Sequence, residues 1–376
     1  MKSRLGHLDG LRAIAVLAVV VDHIAWHYHG RPPAAMNAIA GLPWHVAMWH
    51  LLLEGSHGVD LFFVLSGFCL SYPFLSRLAA GSGHAFDASQ FFAKRIVRIV
   101  PPYYAALIIF AIPRMMQHYA TLNDVVKELF FTSMNTGNIN EAFWTLAVEF
   151  RWYLVFPLVL WLWIRQRALF WTLLAAAVAV FNFATPIVDA GTLPGFMLGI
   201  VAAHMYVRQS PWRRAALPAL VALVPVAIFA ETLYRPVGAS MGQASFAQIQ
   251  ISWQLAAFAF VVTASSYDGI RKLLSLPWIA AIGIASYSIY LTHAPLVGGL
   301  ANSLPALNAP AFACVALAVA LAIGFGFWKF VERPFVEGAV RTTLVGRIGA
   351  AIRNAGQTLQ FPKPSRRDAD VRPVES

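Results

Sequence analysis

The stretch LDGLRAIAVLAVVVDHI, residues 8–24, decides the fold class. Between Arg12 and Asp22 it contains only Ala, Val, Leu and Ile. Extended to the apolar block 11–29, it would make a helix about 28 Å long, enough to cross the hydrocarbon core of a bilayer. Comparable blocks follow at 57–77, 93–112, 143–163, 168–184, 191–207, 214–233, 246–264, 276–299 and 309–330. Composition agrees: 59% of the 376 residues are hydrophobic and 12% charged, against roughly 25% charged in soluble domains. A soluble enzyme, a disordered chain and a disulfide-stapled scaffold are thereby excluded. The expectation is an all-α, polytopic integral-membrane bundle of about ten transmembrane helices over residues 1–337. A basic, mobile cytosolic tail, 338–376, is expected to follow.

Trp26, His27 and His29 follow the first block where a cleavable signal would have small residues, so the block is expected to stay as a span. Residues 42–54, with Trp44 and Trp49, read as an interfacial helix. The net charge of +11 is unevenly placed. With both termini in the cytosol, only Arg31, Arg114, Lys127 and Arg235 of the 28 Lys and Arg fall outside, and Arg151 lies within a span. The charge therefore reads as a topology signal, and no nucleic-acid partner is expected. Cys69 and Cys314 lie in apolar blocks without a CxxC pair, which excludes structural zinc and a dithiol centre. His45, His50 and His57 lack the spacing of a metal site, and no metal is expected.

Ionisable residues inside spans are costly and so are functional candidates: Arg12, Asp22, His23, Asp60, Glu149, Arg151, His204 and His293. Arg12 and His23 are eleven residues apart, which places them on one helix face about 16 Å apart along the axis. His23, Glu149, His293 and Asp60 are expected in one outer-half layer, with Ser66 near the midplane. Arg95 and Arg98 share a face and, with Arg12, would form a basic cytosolic mouth suited to phosphates. A structural polar network would give the same layer, and positive-inside anchoring the same arginines. Gly58, Gly67 and Gly283 are expected where helices approach closely.

Six segments in order resemble the membrane acyltransferase-3 family. They are 8–24 with its R-x10-H pair, GVDLFFVLSGF at 58–68, KRIVRIVPPYY at 94–104, WTLAVEFRWYL at 144–154, SYSIYLTHAP at 286–295 and VERPF at 331–335. The resemblance implies a ten-helix bundle in a bacterial cytoplasmic membrane. It also implies transfer of an acyl group, commonly acetyl, from acyl-CoA to a hydroxyl of a carbohydrate such as lipopolysaccharide or exopolysaccharide. By resemblance, Arg12, Arg95 and Arg98 bind the donor. His23 is the expected general base, oriented by Glu149 or Asp60. Ser66 or Tyr287 would polarise the thioester carbonyl, with His293 and Trp144 on the substrate side. A transporter of an acylated carrier or glycan, using the same ionisable residues as a proton relay, is the rival reading.

Overall fold

The computed structural model describes residues 5–29, 55–81, 86–132, 138–183, 188–234 and 243–355. Every regular element among them is helical. The helices are α1 (Gly6–His29), α2 (Gly58–Ala79), α3 (Ala88–Met116), α4 (Leu122–Leu129), α5 (Phe143–Arg165), α6 (Arg167–Phe183), α7 (Val188–Val207), α8 (Ala216–Tyr234) and α9 (Gln243–Ser266). They continue with α10 (Asp268–Leu274), α11 (Pro277–Ile284), α12 (Ser286–Ser303), α13 (Ala309–Phe327), α14 (Arg333–Val336) and α15 (Gly338–Ala355).

All ten expected apolar blocks fall on helices, the ninth on two. Among the described residues the number of helices long and apolar enough to cross a membrane is smaller: seven, or eight if α11 and α12 form one span bent by 68°. Outside that number stand α1, which carries Asp9, Arg12 and Asp22, and α6, only 17 residues long. Ile108, Ile109, Ile112, Leu154 and Leu158 are exposed on the bundle surface, as expected of side chains that face lipid rather than water. The chain is thus an all-α polytopic membrane bundle. The interfacial helix expected at 42–54 lies outside the described residues.

Close helix contacts position the site. A Cβ at Gly283 of α11 would lie 1.7 Å from the Asp9 carbonyl oxygen of α1, and one at Gly58 of α2 would lie 2.4 Å from that of Ala15. A Cβ at Gly67 would meet the Phe196 oxygen of α7 at 2.0 Å. These are the three glycines expected at close approaches. Two apolar cores fill the bundle. Leu11, Leu65, Phe68, Phe156 and Phe196 build one, and Val16, Val20, Tyr103, Phe143, Leu291 and Phe312 build the other.

Two segments depart from the α-helical norm. Trp328–Glu332 is a π-helical turn, a distortion that recurs at functional sites. It directs buried Glu332 to the Ser288 hydroxyl of α12, which donates to it at 2.6 Å. Residues after Gly338 read as a mobile tail, but the first 18 form α15. Val345, Leu344 and Ile348 of that helix pack on Ala93 and Val97 of α3, an apolar stripe that the basic composition masked.

Candidate active site

A cavity enclosing about 820 Å³ of space, its open mouth included, runs between α1, α2, α3, α5 and α12. Three arginines line it, Arg12, Arg95 and Arg98, with a single carboxylate, Glu149. The three arginines expected together thus come from two helices, α1 and α3, and line one cavity.

The arginines differ in their partners. Arg12 donates to Asp9 at 3.0 Å and to Cys69 Sγ at 3.1 Å. The Arg95 guanidinium lies 5.9 Å from the ring centroids of both Phe91 and Tyr153, and its Nε has no hydrogen-bond partner. Among the described residues, neither Arg95 nor Arg98 has an ion-pair partner. Glu149 and Glu332 act on these guanidinium groups electrostatically without closing an ion pair, and partly buried cations left unpaired are costly, so a lining of three arginines and one carboxylate favours an anionic occupant.

Glu149 faces this cavity rather than His23. It accepts hydrogen bonds from the Ser66 hydroxyl of α2 and from the hydroxyl of Tyr153, one turn along α5. Asp60 is likewise engaged elsewhere. It accepts from His57 Nδ1 at 2.8 Å and from Gln254 Nε2 at 3.1 Å, while the His57 ring stacks on Trp253. Neither carboxylate orients His23, contrary to expectation. Depth along a helix fixes one coordinate and rotation about its axis another, and only the first was read from the sequence.

Ser66 and Tyr287 line the cavity, as expected of groups near a reacting carbonyl. Both hydroxyl protons are already committed, Ser66 to Glu149 and Tyr287 to the Ile99 carbonyl at 2.9 Å. Tyr290 meets Thr145 at 2.7 Å, and Thr145 donates to the Ala142 carbonyl. Ser286 remains: it is buried, lines the cavity at the first residue of α12, and has no side-chain hydrogen bond among the described residues. Trp144 is half-buried at the start of α5 and does not line the cavity.

His23 lies beyond the Tyr290 end. The cavity reaches Tyr290, whose ring is 5.4 Å from that of buried His293. The His293 ring in turn meets that of His23 edge-on at 4.7 Å. His23 itself does not line the cavity; the rings of Tyr290 and His293 lead from the cavity to it. His23 Nδ1 donates to the Val19 carbonyl at 2.9 Å. A carbonyl only accepts, so that nitrogen carries the proton and Nε2 is the basic one. His293 is fixed the same way by Tyr290 O at 2.8 Å.

Four residues here escaped the sequence reading: Tyr153, Ser286, His27 and Glu141. Tyr153 lies four residues from Glu149, and His27 four from His23, so helical spacing alone could have paired each with its neighbour. Nothing local marks Glu141, which reaches α1 from a turn. His45 and His50 lie outside the described residues. No group of three His, Cys, Asp or Glu able to hold a metal occurs among the described ones.

Comparison with known proteins accords with this geometry. Residues 5–329 match the model of the acyltransferase-3 family, described as an acyltransferase domain. The acyltransferase MdmB of Streptomyces mycarofaciens is 27% identical over 387 residues, covering 88% of this chain and 91% of that protein. The exopolysaccharide production protein ExoZ of Rhizobium meliloti is 27% identical over 323 residues, 80% of this chain and 96% of the relative. The peptidoglycan O-acetyltransferase OatA of Listeria monocytogenes is 25% identical over 43% of this chain and 25% of its own length. No solved structure matches at a significant level. With the family model spanning most of the bundle, the chain belongs to the acyltransferase-3 family and is a membrane acyltransferase.

Proposed function

We propose that the chain moves an acyl group, acetyl in the first instance, from acyl-CoA on the cytosolic side to a carbohydrate hydroxyl on the far side of a bacterial cytoplasmic membrane. In this reading the bundle crosses ten times with both termini in the cytosol. The observation that carries it is the cavity lined by Arg12, Arg95 and Arg98, of which Arg95 and Arg98 form no ion pair among the described residues. CoA brings phosphates that such guanidinium groups bind bidentately, and Arg12 supplies a third cation at the same mouth. The acyl end then lies toward Glu149, Ser286 and Tyr290. Ser286, the lining hydroxyl with a free proton, donates to the oxygen that becomes anionic as the thioester is attacked. Glu149 holds Ser66 and Tyr153 and so shapes this chamber. His23 Nε2 takes the acceptor's proton. His293, packed between His23 and Tyr290, belongs to the acceptor side, with Trp144 at the entrance.

The names of two relatives support a polymeric glycan as acceptor, one being an exopolysaccharide production protein and the other a peptidoglycan O-acetyltransferase. Deleting the gene and weighing cell-surface glycans by mass spectrometry should reveal one lost acyl increment. Restoring the gene should return it, and restoring His23→Ala should not. A glycan profile unchanged by deletion refutes the acceptor class. A fully active His23→Ala refutes the base.

A further inference from the structure

Glu149 and Asp60 are occupied elsewhere, yet His23 does face a carboxylate. His23 and His27 are one turn apart on α1, with ring centroids 6.4 Å apart. Both turn Nε2 toward Glu141 Oε2, at 4.0 Å from His23 and 3.6 Å from His27. Glu141 sits in the turn before α5, and Asn140 fastens that turn to the bundle. Asn140 Nδ2 donates to the Leu291 carbonyl of α12 at 2.9 Å, and its Oδ1 accepts from Ala142 N at 3.0 Å. The anchor falls two residues from His293, so carboxylate and histidines are held by the same helix pair. Glu141 is 36% exposed while His23 and His27 are 18% and 20% exposed. The carboxylate therefore stands at the opening and the imidazoles behind it.

The geometry points to Glu141 as the positioning residue of His23: it stabilises the imidazolium formed when the acceptor hydroxyl is deprotonated and, with His27, passes that proton to the outer medium. This inference rests on the reading of His23 as base. In the transfer, the hydroxyl O–H bond breaks and its proton goes to His23 Nε2. The oxygen forms a bond to the acyl carbon, and the C–S bond breaks with its electron pair on the CoA sulfur. The imidazolium then lies within 4.0 Å of a carboxylate. Both groups are acceptors while His23 is neutral, so the pair closes fully only once the proton has arrived. His27 already holds the Glu141 carboxyl below the usual carboxylate range, against the opposing effect of burial, with His23 and Arg114 adding to it. The other titratable neighbours are His293 on α12 and Asp22, which points about 100° away on α1; among the described residues Glu141 is the carboxylate paired with His23.

The test restores variants of the full chain to cells lacking the gene and follows the glycan acyl increment against external pH. Glu141→Gln takes the anion away from the imidazolium, so it should move the acid-side loss of activity to lower pH and reduce maximal acylation about tenfold. Glu141→Asp should restore both in part. His27→Gln removes a neighbouring imidazolium and should move the same limb to higher pH, the opposite sign. Should Glu141→Gln fail to accumulate in membranes, Glu141→Asp and His27→Gln still read the coupling. If His23→Ala is inactive but the Glu141 and His27 variants keep the wild-type profile, the inference is overturned and the base survives. If His23→Ala is active, the base reading itself falls.

Discussion

Replacing Arg95 with Met separates a binding arginine from a structural one, because the two roles predict opposite signs. Arg95 is half-buried, its Nε lacks a partner, and its stabilising contacts are two rings at 5.9 Å. Cation–π contacts return about 0.5–2 kcal/mol each, while an unpaired buried charge costs several. Methionine keeps most of the apolar stem and removes the charge, so the empty protein should unfold at the same temperature or higher. Binding moves the other way. A hydrogen bond to a charged group contributes about 1.5–3 kcal/mol, which is about a 10- to 150-fold loss in affinity for acetyl-CoA. Thermal unfolding in detergent, followed by intrinsic tryptophan fluorescence, reads the first quantity. Titration calorimetry with CoA reads the second. A variant that melts earlier and binds CoA as tightly as wild type would show that Arg95 serves the fold, and the donor-site argument would fail.

Ser286→Ala removes a hydroxyl with no protein partner, so expression and melting should stay unchanged while turnover falls about 100-fold; unaltered turnover with labelled acetyl-CoA eliminates it as oxyanion donor. Gly67→Ala drives a Cβ to within 2.0 Å of the Phe196 oxygen and should destabilise by about 1–3 kcal/mol. Gly326→Ala on α13, where nothing lies within 4 Å, should be neutral or slightly stabilising; equal melting of the two variants contradicts the packing argument. Thr121 caps α4, and its hydroxyl and backbone N–H hold the Asp124 carboxyl below its usual value. A carboxyl depressed in the folded state adds stability above its unfolded pKa, near 4, and loses it as pH falls through the folded value. Amides 122–132 should therefore exchange faster as the pH falls below about 4 once intrinsic rates are removed, and exchange protection constant down to pH 3 argues against the cap.

The helices were legible because the apolar blocks are long enough to cross a bilayer as helices; each fell on helix, the ninth on two. The number of crossings was less legible, since α1 carries charges along a length that otherwise suits a membrane. The arginine cluster was legible because Arg95 and Arg98 are near neighbours on one helix and Arg12 faces them from another. Carboxylate partners were not. Glu149 and His23 were expected at similar depths, but α5 turns Glu149 toward Ser66 and Tyr153, and a rotation set by packing leaves no local mark. Glu141 was missed for the complementary reason: it lies outside any span, so the cost of burying charge in lipid gave no cue. The α15 stripe was hidden because Arg341, Arg347 and Arg353 are interspersed with it, Arg353 itself donating to Ser89 of α3.

The separation of the two ends has a chemical logic. The cavity stops at the Tyr290–Thr145 pair, and the basic nitrogen of His23 is reached only past His293. A thioester held on the arginine side is therefore shielded from water admitted at the histidine side, which protects the donor from hydrolysis until an acceptor is in place. Joining the sides requires Tyr290 to swing away from Thr145, and a single neutral hydrogen bond of about 1 kcal/mol is a small barrier to that motion. The acyl group then crosses, while the two protons do not follow it. In the proposed reaction the acceptor's proton leaves by His23 and Glu141 on one face, and the CoA sulfur gains its proton on the other. An acyltransferase organised in this way needs no proton path through its centre, which is consistent with a cavity floor where hydroxyl protons are already committed to protein acceptors and Ser286 alone remains to meet the carbonyl.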